Sequence, residues 1–206
     1  MRLQSAIFDM DGTLLDSMPT WRELGPAFLR EAGIPATPEQ EQMLRTMTDH
    51  EVIPYLREVC GLPWSEQEIM DKIIDRMEDF YSTAVRPKPG LEKFLSILKM
   101  EGVWMYVATA THRRLTEKAL KTAGIDHYFR GIVTSADAGN HKSESADIYE
   151  MAMRRLQSNK RDTVVFEDAL HAIRTAKAAG FRVAGVYEAT AEQDQPEIQR
   201  LCDYYI

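Results

Sequence analysis

Ser5-Ala6-Ile7-Phe8-Asp9-Met10-Asp11-Gly12-Thr13 runs from an apolar stretch of strand length straight into two carboxylates separated by one residue, then a glycine and a hydroxyl. A strand buried on both faces is a continuous apolar run, and acids at its end are costly unless something offsets their charge. An open parallel sheet binds its ligands at the carboxyl ends of its strands, so Asp9 and Asp11 fall at the functional edge of such a sheet. Gly12 permits a tight backbone there, and Thr13 can hydrogen-bond near a phosphate or a metal-bound oxygen. Taken alone, the run also reads as a solvated Asp-Gly turn. An EF-hand loop is excluded, because the glycine follows the second acid directly and no glutamate closes the loop.

Runs of similar length recur downstream at Val103 to Ala108, Gly131 to Thr134, Thr163 to Phe166 and Arg182 to Val186. Helical patterns at 113–123, 146–157 and 169–179 follow several of them, with Gly124 and Gly180 placed as helix stops. That alternation predicts right-handed βαβ units in an α/β, Rossmann-like core with a mostly parallel sheet. Residues 16–84 break the alternation with helical patterns at 20–32, 39–46, 49–59 and 66–82 and hardly any strand-like run. Thr37-Pro38-Glu39-Gln40 and Ser65-Glu66-Gln67-Glu68 carry the signature of helix starts. Arg86-Pro87-Lys88-Pro89-Gly90 then makes a stiff, non-helical return. The expected organisation is a core of residues 1–15 and 85–206 interrupted by an all-helical domain at 16–84.

The length of 206 residues suits one core carrying a smaller insert, and 44% hydrophobic with 28% charged residues is ordinary for a globular chain. Thirty-two acidic against 25 basic residues, a net charge of -7, oppose binding to nucleic acid or to an anionic membrane. Any phosphate must therefore be held by local groups against the global sign. Cys60 and Cys202 have no metal-ligand spacing and read as reduced packing thiols. No signal-peptide pattern opens the chain, and no run reaches the roughly 20 apolar residues of a membrane span, so the cytoplasm is the expected location.

A second acid pair, Glu167-Asp168, closes the run Thr163-Val164-Val165-Phe166, which puts four carboxylates at the ends of two expected strands. Each pair alone has an ordinary reading, a turn or a helix cap; together they call for a cation. Hard oxygens with no nearby Cys or His cluster favour Mg²⁺. Thr109 ends another run and opens Thr109-Ala110-Thr111-His112-Arg113, where a hydroxyl and the N–H groups of a helix start can hold phosphate oxygens or simply cap the helix. Lys142, before the helix that includes Asp147, can neutralise phosphate or an acid, or remain a solvated loop lysine.

Taken in order and spacing, Asp9-Met10-Asp11-Gly12-Thr13, Thr109, Lys142 and the stretch 166–180 resemble the haloacid dehalogenase superfamily, in its branch of small-cap phosphatases that includes β-phosphoglucomutase and phosphoglycolate phosphatase. The resemblance covers nearly the whole chain and implies that 16–84 is a helical cap. It further implies Asp9 as the nucleophile that carries the phosphoryl group, and Asp11 as the acid that protonates the leaving alcohol and later activates water. Thr109, Ala110 and Lys142 would hold the phosphoryl oxygens. Asp9, the Asp11 backbone carbonyl and Asp168 would bind Mg²⁺, with Glu167 in direct contact or one layer out. The lysine departs from the family pattern: it precedes Asp147 by five residues rather than four and lacks the usual two prolines.

The resulting expectation is a Mg²⁺-dependent phosphatase acting on a small phosphorylated metabolite, a sugar or polyol phosphate. A dehalogenase is disfavoured, since its chemistry needs no metal and leaves Asp11 without purpose. A phosphomutase needs basic groups in the cap, where the comparable positions here are Trp21 and Asp49; His50 is the residue that keeps that alternative open. A non-catalytic protein on the same fold is the third reading, and the presence of Asp9, Asp11 and Asp168 argues against it. A nucleotide-dependent oxidoreductase lacks its G-x-G-x-x-G after the first strand. Asp16, Trp21, His50 and His112 are the remaining candidates for substrate contact, chosen by position alone; Trp21 reads first as a core aromatic of the cap, and His112 first as a solvent-exposed residue on the first turn of a helix.

Overall fold

The computed structural model describes residues 3–47 and 49–206; the side chains of Asp49 and His50 also lie outside the described residues. The opening apolar run forms β1 (Ser5–Phe8). The other strands are β2 (Trp104–Thr109), β3 (Ile132–Thr134), β4 (Thr163–Glu167), β5 (Arg182–Gly185) and β6 (Tyr204–Tyr205). They form one sheet in the order β3-β2-β1-β4-β5-β6, with every neighbouring pair parallel. β1 and β4 are therefore interior strands, which explains why both are apolar without alternation.

Parity along these strands divides the core. Phe8 and Phe166 are register partners whose rings stack at 4.4 Å, and Phe94 and Phe129 pack edge-on against Phe8. Ile7 and Val165 belong instead to a cluster with Ile148, Tyr149, Ile173, Phe181 and Val183. Each fully buried side chain of this size contributes about 1.5–3 kcal/mol. The helices of this core unit, Met1–Asp16 with Tyr81–Ile206, include α5 (Leu91–Met100), α6 (Arg113–Thr122), α7 (Ser135–Ala138), α8 (Asp147–Arg155), α9 (Leu170–Ala178) and α10 (Gln195–Leu201). The core is thus a Rossmann-like α/β fold.

The second unit, Ser17–Phe80, is built from α1 (Met18–Glu31), α2 (Pro38–Thr46), α3 (Asp49–Pro54) and most of α4 (Glu66–Thr83). Thr37 and Gln40 form a complete capping box at the start of α2, and Ser65 and Glu68 exchange the same pair of bonds before α4. Phe28, Leu29, Leu56, Ile69 and Met77 are buried within it. α3 passes into a single π-helical stretch, Tyr55–Val59. Among the described residues no helix is long and apolar enough to cross a membrane, and neither Cys60 nor Cys202 is in a disulfide.

Several elements fall outside the sequence expectation. α5 follows the Pro-Gly return immediately, β6 is only two residues long, and α7 has barely one turn, so none spans enough residues or stands far enough from a breaker to declare a period. The return itself is held by Pro87 bridging Leu15 and by the Lys88 N–H donating to the Leu14 carbonyl.

Candidate active site

The β1–β4 register builds the site. Phe8 pairs with Phe166, so the next residues, Asp9 and Glu167, stand side by side with the parity of Ile7 and Val165. The Asp9 N–H donates to the Phe166 carbonyl at 3.0 Å, carrying the ladder one step past β1. Both side chains point to the α8 layer, where the Tyr149 hydroxyl donates to Glu167 Oε2 at 2.9 Å. Lys142 enters from the loop between α7 and α8. Its ammonium lies 2.7 Å from Asp9 Oδ1 and 3.1 and 3.2 Å from the two Glu167 oxygens. Asp168 begins the turn after β4 and accepts from the Thr13 hydroxyl at 2.9 Å.

All five of these polar residues, Asp9, Thr13, Lys142, Glu167 and Asp168, are buried. Asp9, Glu167 and Asp168 each offer an oxygen within 4.8 Å of the others, so one ammonium faces three carboxylates. At such distances two like charges repel by about 4 kcal/mol at an effective dielectric of 20. Burial, reinforced by the neighbouring Glu167 and Asp168, pushes the Asp9 carboxyl well above the usual range even though Lys142 opposes the shift. Burial and Glu167 push Asp168 up to about 7, against the pull of Lys142 and the Thr13 hydroxyl. Burial works the other way on Lys142, but the charges of Asp9 and Glu167 outweigh it and hold the ammonium above its ordinary value. Burial beside Glu167 also raises the Tyr149 phenol. The set is an acidic pocket short of positive charge, of hard oxygen donors, and it suits a divalent cation.

Asp11 is arranged differently. Its carboxylate accepts from the Tyr81 hydroxyl at 2.6 Å on one oxygen and from the Thr111 hydroxyl at 2.7 Å on the other, and its side chain is not in the three-acid group. Gly12, at φ 84°, makes the tight turn that follows, in which the Leu14 and Leu15 N–H groups both donate to the Met10 carbonyl. Thr109 ends β2 buried, its hydroxyl accepting from the Thr111 N–H at 3.1 Å, while Ala110 is exposed.

Of the remaining candidates, two belong to the core unit. His112 is exposed and caps α6 through its ring, accepting from the Arg114 N–H at 3.3 Å. Asp16 is exposed, its N–H bonded to the Arg86 carbonyl. Trp21 belongs to the helical unit, half-buried on α1. The His50 side chain lies outside the described residues. Conversely, Tyr81, Thr111 and Tyr149 touch the acids without having been singled out by sequence. The parity of Glu167 was the available signal for Tyr149; nothing in chain order signals that residue 81 meets residue 11.

Buried acids and a lysine converging at the carboxyl ends of interior parallel strands define an α/β enzyme with a carboxylate-based site. The chain belongs to the haloacid dehalogenase-like hydrolases, whose family model matches residues 6–186. Phosphorylated carbohydrates phosphatase of Thermotoga maritima is 26% identical over 185 residues, 89% of this chain and 85% of the relative. Fructose-1-phosphate phosphatase of Escherichia coli is 26% identical over 190 residues, 90% of this chain and 97% of the relative. Among solved structures, a variant of CbbY from Rhodobacter sphaeroides in complex with xylulose-1,5-bisphosphate shares the fold with a TM-score of 0.81 at 22% identity, over 99% of this chain and 93% of the other.

Proposed function

We propose that the protein is a Mg²⁺-dependent phosphatase that hydrolyses a small phosphate monoester, of the sugar or polyol phosphate class, by way of a phosphoryl group carried on Asp9. The observation that carries this reading is the pairing of Asp9 with Lys142 inside a buried group of three acids. A lysine there orients the nucleophile's carboxylate and neutralises charge on the incoming phosphoryl group. The substrate class rests on the similarity to phosphatases of phosphorylated carbohydrates and of fructose 1-phosphate.

In the first step an Asp9 carboxylate oxygen attacks phosphorus while the ester P–O bond breaks, and Asp11 gives its proton to the departing alkoxide. In the second, Asp11 takes a proton from water as the water oxygen attacks phosphorus and the Asp9–phosphorus linkage breaks. The sum is ester plus water giving alcohol plus phosphate, with Asp9 and Asp11 restored. Thr109 and Lys142 hold phosphoryl oxygens. The carboxylates of Asp9 and Asp168 and the Asp11 carbonyl would hold Mg²⁺, which would supply the charge neutralisation that such a transfer requires. Glu167 fixes Lys142.

A panel of phosphate esters assayed with Mg²⁺, with EDTA and with Asp9→Asn tests the reading. Phosphate release that disappears in both controls is the expected result. Release that survives Asp9→Asn overturns the nucleophile assignment. Isomerisation of a sugar monophosphate in the presence of a bisphosphate primer, with little free phosphate, replaces the phosphatase by a phosphomutase.

A further inference from the structure

We infer that Tyr81 and Thr111 are positioning residues for Asp11, each hydroxyl fixing one oxygen of its carboxylate so that the acid is held in one orientation for proton transfer to the leaving alcohol. The inference rests on the proton-transfer role proposed for Asp11.

The geometry makes the clamp two-sided. Tyr81 closes on Oδ1 at 2.6 Å from the last turn of α4, and Thr111 on Oδ2 at 2.7 Å from the turn after β2. These elements are unrelated in chain order, so rotation of the carboxylate breaks at least one bond. Both anchors are themselves fixed. Tyr81 is among the largest fully buried side chains, and a hydroxyl there requires a partner. Thr111 is buried, its N–H donates to the Thr109 hydroxyl, and its carbonyl accepts from the Thr116 hydroxyl at 3.2 Å. Asp11, in contrast, is part-exposed in a short turn, where an unheld side chain spreads over several rotamers. Holding a general acid this way contributes to the reaction through orientation.

The alternative is that two buried hydroxyls merely use the nearest acceptor. The two cases separate by leaving group. p-Nitrophenolate departs without a proton, whereas an alkoxide needs one, so kcat/KM for p-nitrophenyl phosphate against a hexitol phosphate isolates the step in which Asp11 acts as an acid. Tyr81→Phe and Thr111→Val are expected to lose about tenfold with the hexitol phosphate and less than about threefold with the aryl ester, a modest share of the 10²–10⁴ that general acid catalysis contributes. Thr111→Ser, which keeps the hydroxyl, is expected to restore the alkyl ester rate. Added to Asp11→Asn, neither substitution should cost anything further, because residues acting through one group are not additive. Equal losses on the two esters, or losses that persist in the Asp11→Asn background, overturn the inference and leave Asp11's own role standing. If Asp11→Asn itself affects both esters equally, or Asp9→Asn stays active, the proposed reaction falls and the inference with it. Thr111→Val exchanges the hydroxyl for a methyl and Thr111→Ser keeps the hydroxyl while losing the methyl, so this pair remains decisive if Tyr81→Phe does not fold.

Discussion

Asp9-Met10-Asp11 after β1 and Glu167-Asp168 after β4 are both acid pairs that close a buried interior strand, yet each pair splits into one acid clamped by donors and one left in need of a cation. In the first pair the clamped acid is Asp11, with a hydroxyl on each oxygen, and the needy one is Asp9, pushed up by burial and by Glu167 and Asp168. In the second the clamped acid is Glu167, which takes Lys142 on both oxygens and Tyr149 on one; Asp168 is the needy one. The partners differ in kind because the positions differ. Asp9 and Glu167 continue the strand face toward α8 and meet Lys142 of the preceding loop, with Tyr149 of α8 on Glu167, while Asp11 and Asp168 lie in turns. Acids close in sequence thus acquire separate roles according to whether they continue a strand or fall in the turn beyond it.

Removing the shared lysine is the strongest way to break this arrangement. Lys142→Met leaves three buried carboxylates facing one another, and deleting one partner of a buried ion pair costs about 3–5 kcal/mol. Chemical denaturation of the metal-free protein at pH 8 is expected to show a loss of that order. At pH 5 the loss is expected to shrink, because the raised carboxyls of Asp9 and Asp168 take up protons there. A loss independent of pH would mean that Lys142 stabilises by packing alone.

The second contrast is within the β4 pair. Asp168→Asn is expected to weaken Mg²⁺ binding more than about 100-fold and Glu167→Gln only about tenfold, as suits a carboxylate already committed to other donors. Mg²⁺-dependent shifts of the thermal midpoint measure both; equal losses would make Glu167 a direct ligand.

The third separates protons from metal. The raised carboxyls of Asp9 and Asp168 favour the fold below their ordinary range, near 3.8 for Asp168, and that advantage is lost as pH rises through the folded value, about 7 for Asp168. The metal-free midpoint should therefore fall between pH 5 and pH 8, and the rise on adding Mg²⁺ should be larger at pH 8, where fewer protons compete with the cation. A Mg²⁺ effect that is unchanged between the two pH values would detach the cation from these acids.

The fold was legible where burial leaves a composition. β1, β2, β4 and β5 are apolar runs because parallel strands are covered on both faces, and the helical unit declares itself through amphipathic spacing and the boxes at Thr37 and Ser65. The acids were legible because charges rarely end a buried strand. Their partners were not. Tyr81 and Tyr149 look like core aromatics on α4 and α8, which they also are, and Thr111 looks like any hydroxyl at a helix start. Their hydroxyls acquire meaning only when strands distant in sequence are brought into register. Lys142 was legible in position although its neighbours lack the prolines expected around it; a lysine buried by its loop needs the acids more than it needs those neighbours.

The smallest contrast concerns the clamp on Glu167. Tyr149→Phe removes one hydroxyl donor from a buried carboxylate and nothing else, since the ring remains in the cluster with Ile7, Val165 and Phe181. Hydrogen bonds to charged groups contribute about 1.5–3 kcal/mol, but Lys142 still reaches both Glu167 oxygens, so a loss near the lower end, about 1.5 kcal/mol, is expected. The freed carboxylate then competes more strongly for the lysine. Asp9 accordingly loses part of its counter-charge, and kcat should fall a few-fold while Mg²⁺ affinity changes little. Denaturation midpoints, kcat and Mg²⁺ titration of one variant read all three. If stability falls while kcat is unchanged, Tyr149 belongs to the core alone. If both fall together, the tyrosine on α8 acts on the nucleophile through Glu167 and Lys142, and the division between clamped and needy acids extends one layer beyond the pocket.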